Sequence, residues 1–201
     1  MNDFRSGYIA IIGRPNVGKS TLVNALLGQK IAAVSPKPQT TRKRQLGILT
    51  TDKYQLVFVD TPGMHSPRHK LGKFLNQEAE EALAGVDVVI WLVDVSVKPT
   101  DEDKQIGLLL DKLPRRTPLV LAANKMDLIP AEALTRNLEA YQASVKKEAS
   151  VVSVSATHDM HLDELVELLV SFSPFRPPEF DEEQVTDSYE RDIAADLIRE
   201  A

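Results

Sequence analysis

Residues 13–20 read Gly13-Arg14-Pro15-Asn16-Val17-Gly18-Lys19-Ser20. They follow a short β-rich run (YIAII) and precede a stretch, residues 19–28, with helical patterning and Gly28 as its closing cap. This GxxxxGKS pattern constrains the chain more than any other feature, because a strand, a glycine-bearing turn and a helix N-terminus must meet at one point. The glycines let main-chain N–H groups face a common centre without a Cβ clash. The helix adds its dipole and its unpaired N–H groups. Such a loop cradles phosphates. Lys19 would reach the β- and γ-phosphates, Ser20 would ligate Mg²⁺, and Thr21 continues the first turn beside them.

The rest of the chain alternates short β-rich runs with helical patterns. Strands are expected at residues 8–13, 45–51, 53–60, 86–94, 118–124 and 150–155, and helices at 19–28, 70–84, 101–113, 131–148 and Leu162–Phe172. The pair at 45–51 and 53–60 reads as a hairpin around Asp52. This alternation predicts an α/β fold of three layers: a mostly parallel sheet with helices on both faces and one antiparallel strand. Residues 173–183 (SPFRPPEFDEE) are rich in proline and acid and read as a linker. Beyond them, Ile193, Ala194, Leu197 and Ile198 lie at the spacing of one amphipathic helix, too little for a domain core. The expected division is therefore a nucleotide-binding domain over 1–173, a linker over 174–183 and the start of a truncated second domain over 184–201.

Three further patterns follow the phosphate loop in order. Asp60-Thr61-Pro62-Gly63 stands at the carboxyl end of a strand, where Asp60 would hold Mg²⁺ through water and the Gly63 N–H would meet a γ-phosphate. Asn124-Lys125-Met126-Asp127 follows the strand PLVLAA, and Asn124 and Asp127 would select guanine. The Asp127 carboxylate can accept from N1–H and N2–H₂ of guanine, whereas adenine would leave it unpaired at a cost of roughly 1–3 kcal/mol. Asp127 could otherwise be a local helix cap. Ser155-Ala156-Thr157 ends the last strand, where a small residue lets a backbone N–H reach guanine O6. Thr40 and Thr41 lie in the long loop before the hairpin, and one of them, with Thr41 preferred, would complete the Mg²⁺ shell when a γ-phosphate is present.

Composition removes several alternatives. The chain has 201 residues and no cysteine, so neither a disulfide scaffold nor a cysteine zinc site is available. The longest apolar stretch is interrupted by Asp87 and Asp94 and is too short to span a bilayer. The expectation is a cytoplasmic protein. Net charge is −5, yet residues 176–201 hold nine acidic and three basic side chains, leaving the body near neutral and a poor general binder of nucleic acid. His65 and His69 are four apart but have no partner placed to complete a tetrahedral metal site. Lys37, Arg42, Lys43 and Arg44 form a basic cluster that reads as solvated, with RNA contact as the alternative.

Read together, GRPNVGKS at 13–20, PQTTR at 38–42, DTPG at 60–63, NKMD at 124–127, SAT at 155–157 and the tail QVTDSYERDIAADLIREA resemble the Era family of bacterial GTPases, in the TrmE–Era–Der branch. The resemblance covers nearly the whole chain. It implies a P-loop GTPase fold, a monomer that binds GTP and GDP with Mg²⁺, slow hydrolysis, and a role in assembling the small ribosomal subunit on 16S rRNA. It leaves open a peripheral contact with the inner membrane. It also implies a KH-type RNA-binding domain after the linker. That domain clamps RNA with GxxG, and no two glycines here are three apart, so the RNA-binding half is expected to be missing.

Where Ras-type GTPases carry a water-orienting glutamine after DxxG, this chain has Met64. In this branch the asparagine matching Asn16 is associated with potassium, and a structural turn role for it stands equally beside that reading. The expected catalytic groups are Lys19, Thr41 and Gly63. The rivals are an ATP-dependent P-loop enzyme, a non-catalytic guanine-nucleotide-dependent scaffold, and another GTPase of the same branch.

Overall fold

The computed structural model describes residues 3–28, 45–60, 83 and 85–186. Six strands form one sheet: β1 (Arg5–Ile12), β2 (Gln45–Thr50), β3 (Tyr54–Asp60), β4 (Val88–Asp94), β5 (Leu119–Asn124) and β6 (Ser150–Ser153). Four helices accompany them: α1 (Lys19–Leu27), α2 (Asp101–Leu110), α3 (Ala131–Gln142) and α4 (Leu162–Phe172). The strand order is β2-β3-β1-β4-β5-β6, with β2 antiparallel to β3 and every other pair parallel. The α/β class, the mostly parallel sheet and its single antiparallel strand are as the alternation predicts.

The side-chain period of two divides each central strand between two apolar cores. Ile9 and Ile11 of β1 face one core, with Phe58, Ile90, Leu92, Leu22 of α1, and Leu165 and Leu169 of α4. Ala10 and Ile12 face the other, with Val89, Trp91, Leu121, Ile106 of α2 and Tyr141 of α3. β4 and β5 are buried along their whole length, the mark of parallel strands covered on both faces. Trp91 and Tyr141 meet edge to face with ring centroids 6.0 Å apart.

Local chemistry sets the ends of the elements. Gly28 closes α1 at φ 65°, its N–H donating to Ala25 O. The hairpin turns at Thr51, whose hydroxyl accepts the N–H groups of Lys53 and Tyr54 at 3.2 and 3.1 Å. Two helices are shorter than their apolar spacing suggests. After Leu110 and after Gln142 the N–H groups reach back three residues, as in Leu113 to Leu110 and Val145 to Gln142, so each last turn tightens and stops. The Asp111 carboxylate then accepts the N–H groups of Lys146 and Lys147 at 2.6 and 2.9 Å, binding the two ends together. Val145 remains packed on the core although it lies outside the helix. The helix expected over 70–84 falls outside the described residues, apart from Leu83, which is helical.

The expected linker is no loose tether. Ser6 N–H donates to Pro174 O, Arg5 pairs with Phe175, and the Arg5 guanidinium lies 4.0 Å over the Phe175 ring. Further along, the wholly buried Gln55 accepts the N–H groups of Glu179 and Phe180 on Oε1 at 2.8 and 3.1 Å. Its Nε2 donates to Phe180 O and Thr50 Oγ1, each at 2.9 Å. The segment ends as an added rung on β2: Ile48 N–H donates to Val185 O at 2.8 Å, and Gly47 bridges Thr186. It is a strap drawn across the amino ends of β1 and β3.

Candidate nucleotide-binding site

The order in which strands are added reverses between the parallel neighbours β1 and β4: connections from β1 lead toward β3, those from β4 toward β5. Outside the carboxyl ends of such strands a crevice opens, where α/β proteins hold ligands. The phosphate loop leaves β1 at that point. Gly13 has no room for a side chain, since a Cβ there would lie 2.3 Å from Leu92 O. Pro15 follows Arg14, Asn16 turns the chain at φ 64°, and Val17 is fully buried as the loop's apolar anchor. Gly18 sits at φ 102°, and a Cβ there would lie 2.4 Å from Asn124 Nδ2. α1 then begins with Lys19, Ser20 and Thr21 in its first turn. Lys19 is 8% exposed, and its ammonium donates to Gly13 O and Arg14 O at 2.9 and 3.0 Å. The cation is folded over the loop it serves.

Asn124, at the end of β5, joins this loop to the base-reading segment. Its Nδ2 donates to Val17 O at 2.8 Å and its Oδ1 accepts the Ala156 N–H at 3.0 Å. Both ends of the buried amide therefore hold protein. Asn124, which with Asp127 was expected to select guanine, braces three loops in this way. In Ser155-Ala156-Thr157, from which a backbone N–H was expected to reach guanine O6, the Ala156 N–H donates to Asn124 Oδ1 and that of Ser155 to Met160 O. Lys125 adopts φ 68°, and a single 3₁₀ turn, Met126–Leu128, presents Asp127. His158 Nδ1 lies 3.5 Å from the Asp127 carboxylate and 3.2 Å from Ser155 Oγ.

Behind the loop, Arg14 and Lys125 join a cluster with Asp94, Ser96 and Asp103, three residues that sequence patterns did not single out. Asp94 ends β4, with Oδ2 2.6 Å from Lys125 Nζ and 3.8 Å from the Arg14 guanidinium. Its Oδ1 accepts the N–H and hydroxyl of Ser96. Burial pushes the Asp94 carboxyl up, but the hydrogen bonds from Lys125 and Ser96 together outweigh it and hold the group below the ordinary carboxylate value. Arg14 Nε also lies 3.3 Å from Asp103, a wholly buried residue of α2 that forms a capping box with Thr100. The signal available in sequence was the carboxylate at a strand's carboxyl end and the Thr-x-x-Asp before a helix.

Asp60 closes β3, its backbone in register with Ile11 just before the phosphate loop. Thr40, Thr41, Gly63, Met64, His65, His69, Lys37, Arg42, Lys43 and Arg44 lie outside the described residues. Among the described residues there is no group of three His, Cys, Asp or Glu that could hold a metal, and no helix is long and apolar enough to cross a membrane.

Residues 8–125 match the family model described as 50S ribosome-binding GTPase. GTPase Era of Caldanaerobacter subterraneus subsp. tengcongensis is 42% identical over 200 residues, covering 98% of this chain and 65% of that protein. Two solved structures are also similar, each at 35% identity over 98% of this chain and 66% of theirs. Era in complex with MgGDPNP and nucleotides 1506–1542 of 16S ribosomal RNA superposes with a TM-score of 0.85. An Aquifex aeolicus Era variant bound to GDP and AlF₄⁻ gives 0.86. The chain thus spans somewhat less than two thirds of the length of these relatives. The chain belongs to the 50S ribosome-binding GTPase family, whose model spans residues 8–125, and over nearly its whole length it is similar to GTPase Era.

Proposed function

We propose that this chain binds GTP and GDP with Mg²⁺ and hydrolyses GTP to GDP and phosphate. The observation that carries this reading is the Asn124 brace. Its buried amide holds Val17 of the phosphate loop and Ala156 of the last loop, which fixes the spacing between a phosphate cradle and a guanine reader. The cradle has no space for a Cβ at Gly13 or Gly18, as close approach of phosphates demands. Displacement of a fluorescent guanine nucleotide tests it: GTP and GDP should compete strongly and ATP about 5- to 150-fold less, given the unpaired Asp127 carboxylate that adenine leaves. Equal competition by ATP overturns the base assignment.

The oxygen donors available suit Mg²⁺. Ser20 would ligate it with Thr41, and Asp60 would hold it through water; when bound, it would supply positive charge against the phosphates. Lys19 would release the carbonyls of Gly13 and Arg14 to meet the β- and γ-phosphates, bringing positive charge to them. The Gly63 N–H would meet the γ-phosphate. Met64 cannot orient water, so intrinsic turnover is slow, on the order of 10⁻⁴ per second as for unassisted Ras. Asn16 is a candidate potassium ligand. Its φ of 64° equally serves the turn. Hydrolysis faster in potassium than in sodium buffer, with the difference lost in Asn16→Ala, supports the ligand role; equal rates in the two salts exclude it.

The biological setting is the small ribosomal subunit. The support is the Era relative solved with a 16S rRNA segment. The domain division at 173 and 183, a KH-type unit beyond it, a monomeric state, a cytoplasmic location and peripheral contact with the inner membrane belong to the same reading. All guanine-nucleotide patterns lie before residue 174, and 1–175 carry nearly balanced charge, so RNA affinity is assigned to the parts of such a protein beyond the nucleotide domain.

A further inference from the structure

We propose that Asp94 is a positioning residue for guanine recognition: it holds Lys125 against the phosphate loop and so keeps the Asp127 turn aimed at the base. This rests on the nucleotide reading above. Two cations converge on one carboxylate, Lys125 at 2.6 Å and Arg14 at 3.8 Å. Each has a second anchor, and the two anchors differ in kind. Arg14 also pairs with the buried Asp103 at 3.3 Å. Lys125 otherwise donates only to a neutral carbonyl, Asn16 O, at 3.0 Å. If the Asp94 charge is removed, the like charges of Arg14 and Lys125 face each other at a mostly buried point. Arg14 remains tied to a carboxylate, so Lys125 is the group that yields. It can do so because its side chain is 31% exposed, against 18% for Arg14.

Movement of Lys125 matters because of its backbone. A non-glycine residue at φ 68° occupies the left-handed region, which costs of order 1 kcal/mol and persists only where the surroundings over-determine it. That conformation turns the chain out of β5 into the short turn carrying Asp127. The two bonds at Lys125 Nζ are side-chain constraints that hold it there. Asp94 itself is locked from behind by Ser96 through Oδ1, and its own backbone carbonyl accepts the Tyr141 hydroxyl at 3.0 Å, so the carboxylate is a fixed post. Asp94 contacts no part of a nucleotide in this scheme; it acts through Lys125.

The discriminating test compares GDP with inosine diphosphate, which lacks the N2 amine that Asp127 reads. In wild type, GDP should bind more tightly than IDP, and strong ATP binding would fail the nucleotide reading itself before this proposal is reached. Asp94→Asn keeps the shape and the bond from the Ser96 N–H but loses the charge. GDP should dissociate about tenfold faster, the scale of one charge-assisted hydrogen bond, and the GDP-to-IDP preference should shrink several-fold. Asp94→Glu, which restores the charge, should recover part of the preference. A merely structural role would lower GDP and IDP affinity by one common factor. That result, or an unchanged preference, overturns the proposal. Should Asp94→Asn fail to fold, Ser96→Ala removes the hydroxyl behind the post and should narrow the same preference to a smaller degree; an unchanged ratio there also overturns it.

Discussion

At the carboxyl ends of the strands, Asp94 gathers Lys125, Arg14 and Ser96; at the amino ends, Gln55 gathers the backbone of residues 179 and 180. Both are buried polar side chains that tie together parts of the chain far apart in sequence. They are made of opposite materials. The first is ionic, and its members are side chains aimed at a ligand site. The second is neutral, and it spends all its capacity on main-chain groups and one hydroxyl. The ionic tie can be loosened by changing charge without unfolding anything, which suits a site that must accept and release an anion. The neutral tie responds little to salt or pH and serves to keep the strap in register.

Removing the phosphate-loop cation that neighbours the first region has the largest expected effect. Lys19→Ala should lower GTP turnover by about 100-fold or more while leaving the strap intact. Single-turnover assay beside a thermal melt measures both, and near-normal turnover would contradict the role given to Lys19. The mirror experiment is Gln55→Ala. It strands the N–H groups of Glu179 and Phe180 and the carbonyl of Phe180, costing about 2–3 kcal/mol. The melting temperature should fall by several degrees, with guanine-nucleotide affinity held. A loss of affinity matching the loss of stability would show that the two regions are not independent.

The smallest effect is in acid. The Asp94 carboxyl is held below its ordinary value, so the unfolded chain binds the proton more readily than the folded one. Its contribution to stability is complete above the ordinary carboxylate range, near pH 4, and is lost as pH falls through the lower folded value. Denaturant melts from pH 6 downward should show Asp94→Asn flattening part of that slope; an identical slope in both proteins would show that Asp94 contributes nothing in acid.

The two regions also differ in how far they could be read from residues alone. GRPNVGKS, NKMD and SAT each lie beside a strand end, so local pattern was enough to bring them to one crevice. Asp94 was visible only as an interruption in an apolar run, because its partners lie 31 and 80 residues away and no local period connects them. Gln55 looked like a polar position on a strand, yet it is fully buried, since what covers it is the proline-rich strap that composition marked as a linker. Prolines and acids argue against a domain core; they do not argue against an extended chain pinned at intervals by side chains from elsewhere. The overlong estimates for α2 and α3 have a similar origin. Val145 continues an apolar stripe because it is buried, while Asp111 ends the helical path by capturing the N–H groups of Lys146 and Lys147.

The contact of Val185 and Thr186 with β2 bears on behaviour at high concentration. An open flank of a sheet offers unpaired N–H and C=O groups to any extended neighbour, and so invites aggregation. On the β2 flank the Ile48 N–H is already engaged by Val185 O, and Gly47 is bridged by Thr186. On the β6 flank the strand is four residues long. One border is covered and the other is kept short, so the six described strands leave little template onto which a second molecule could add a strand of its own.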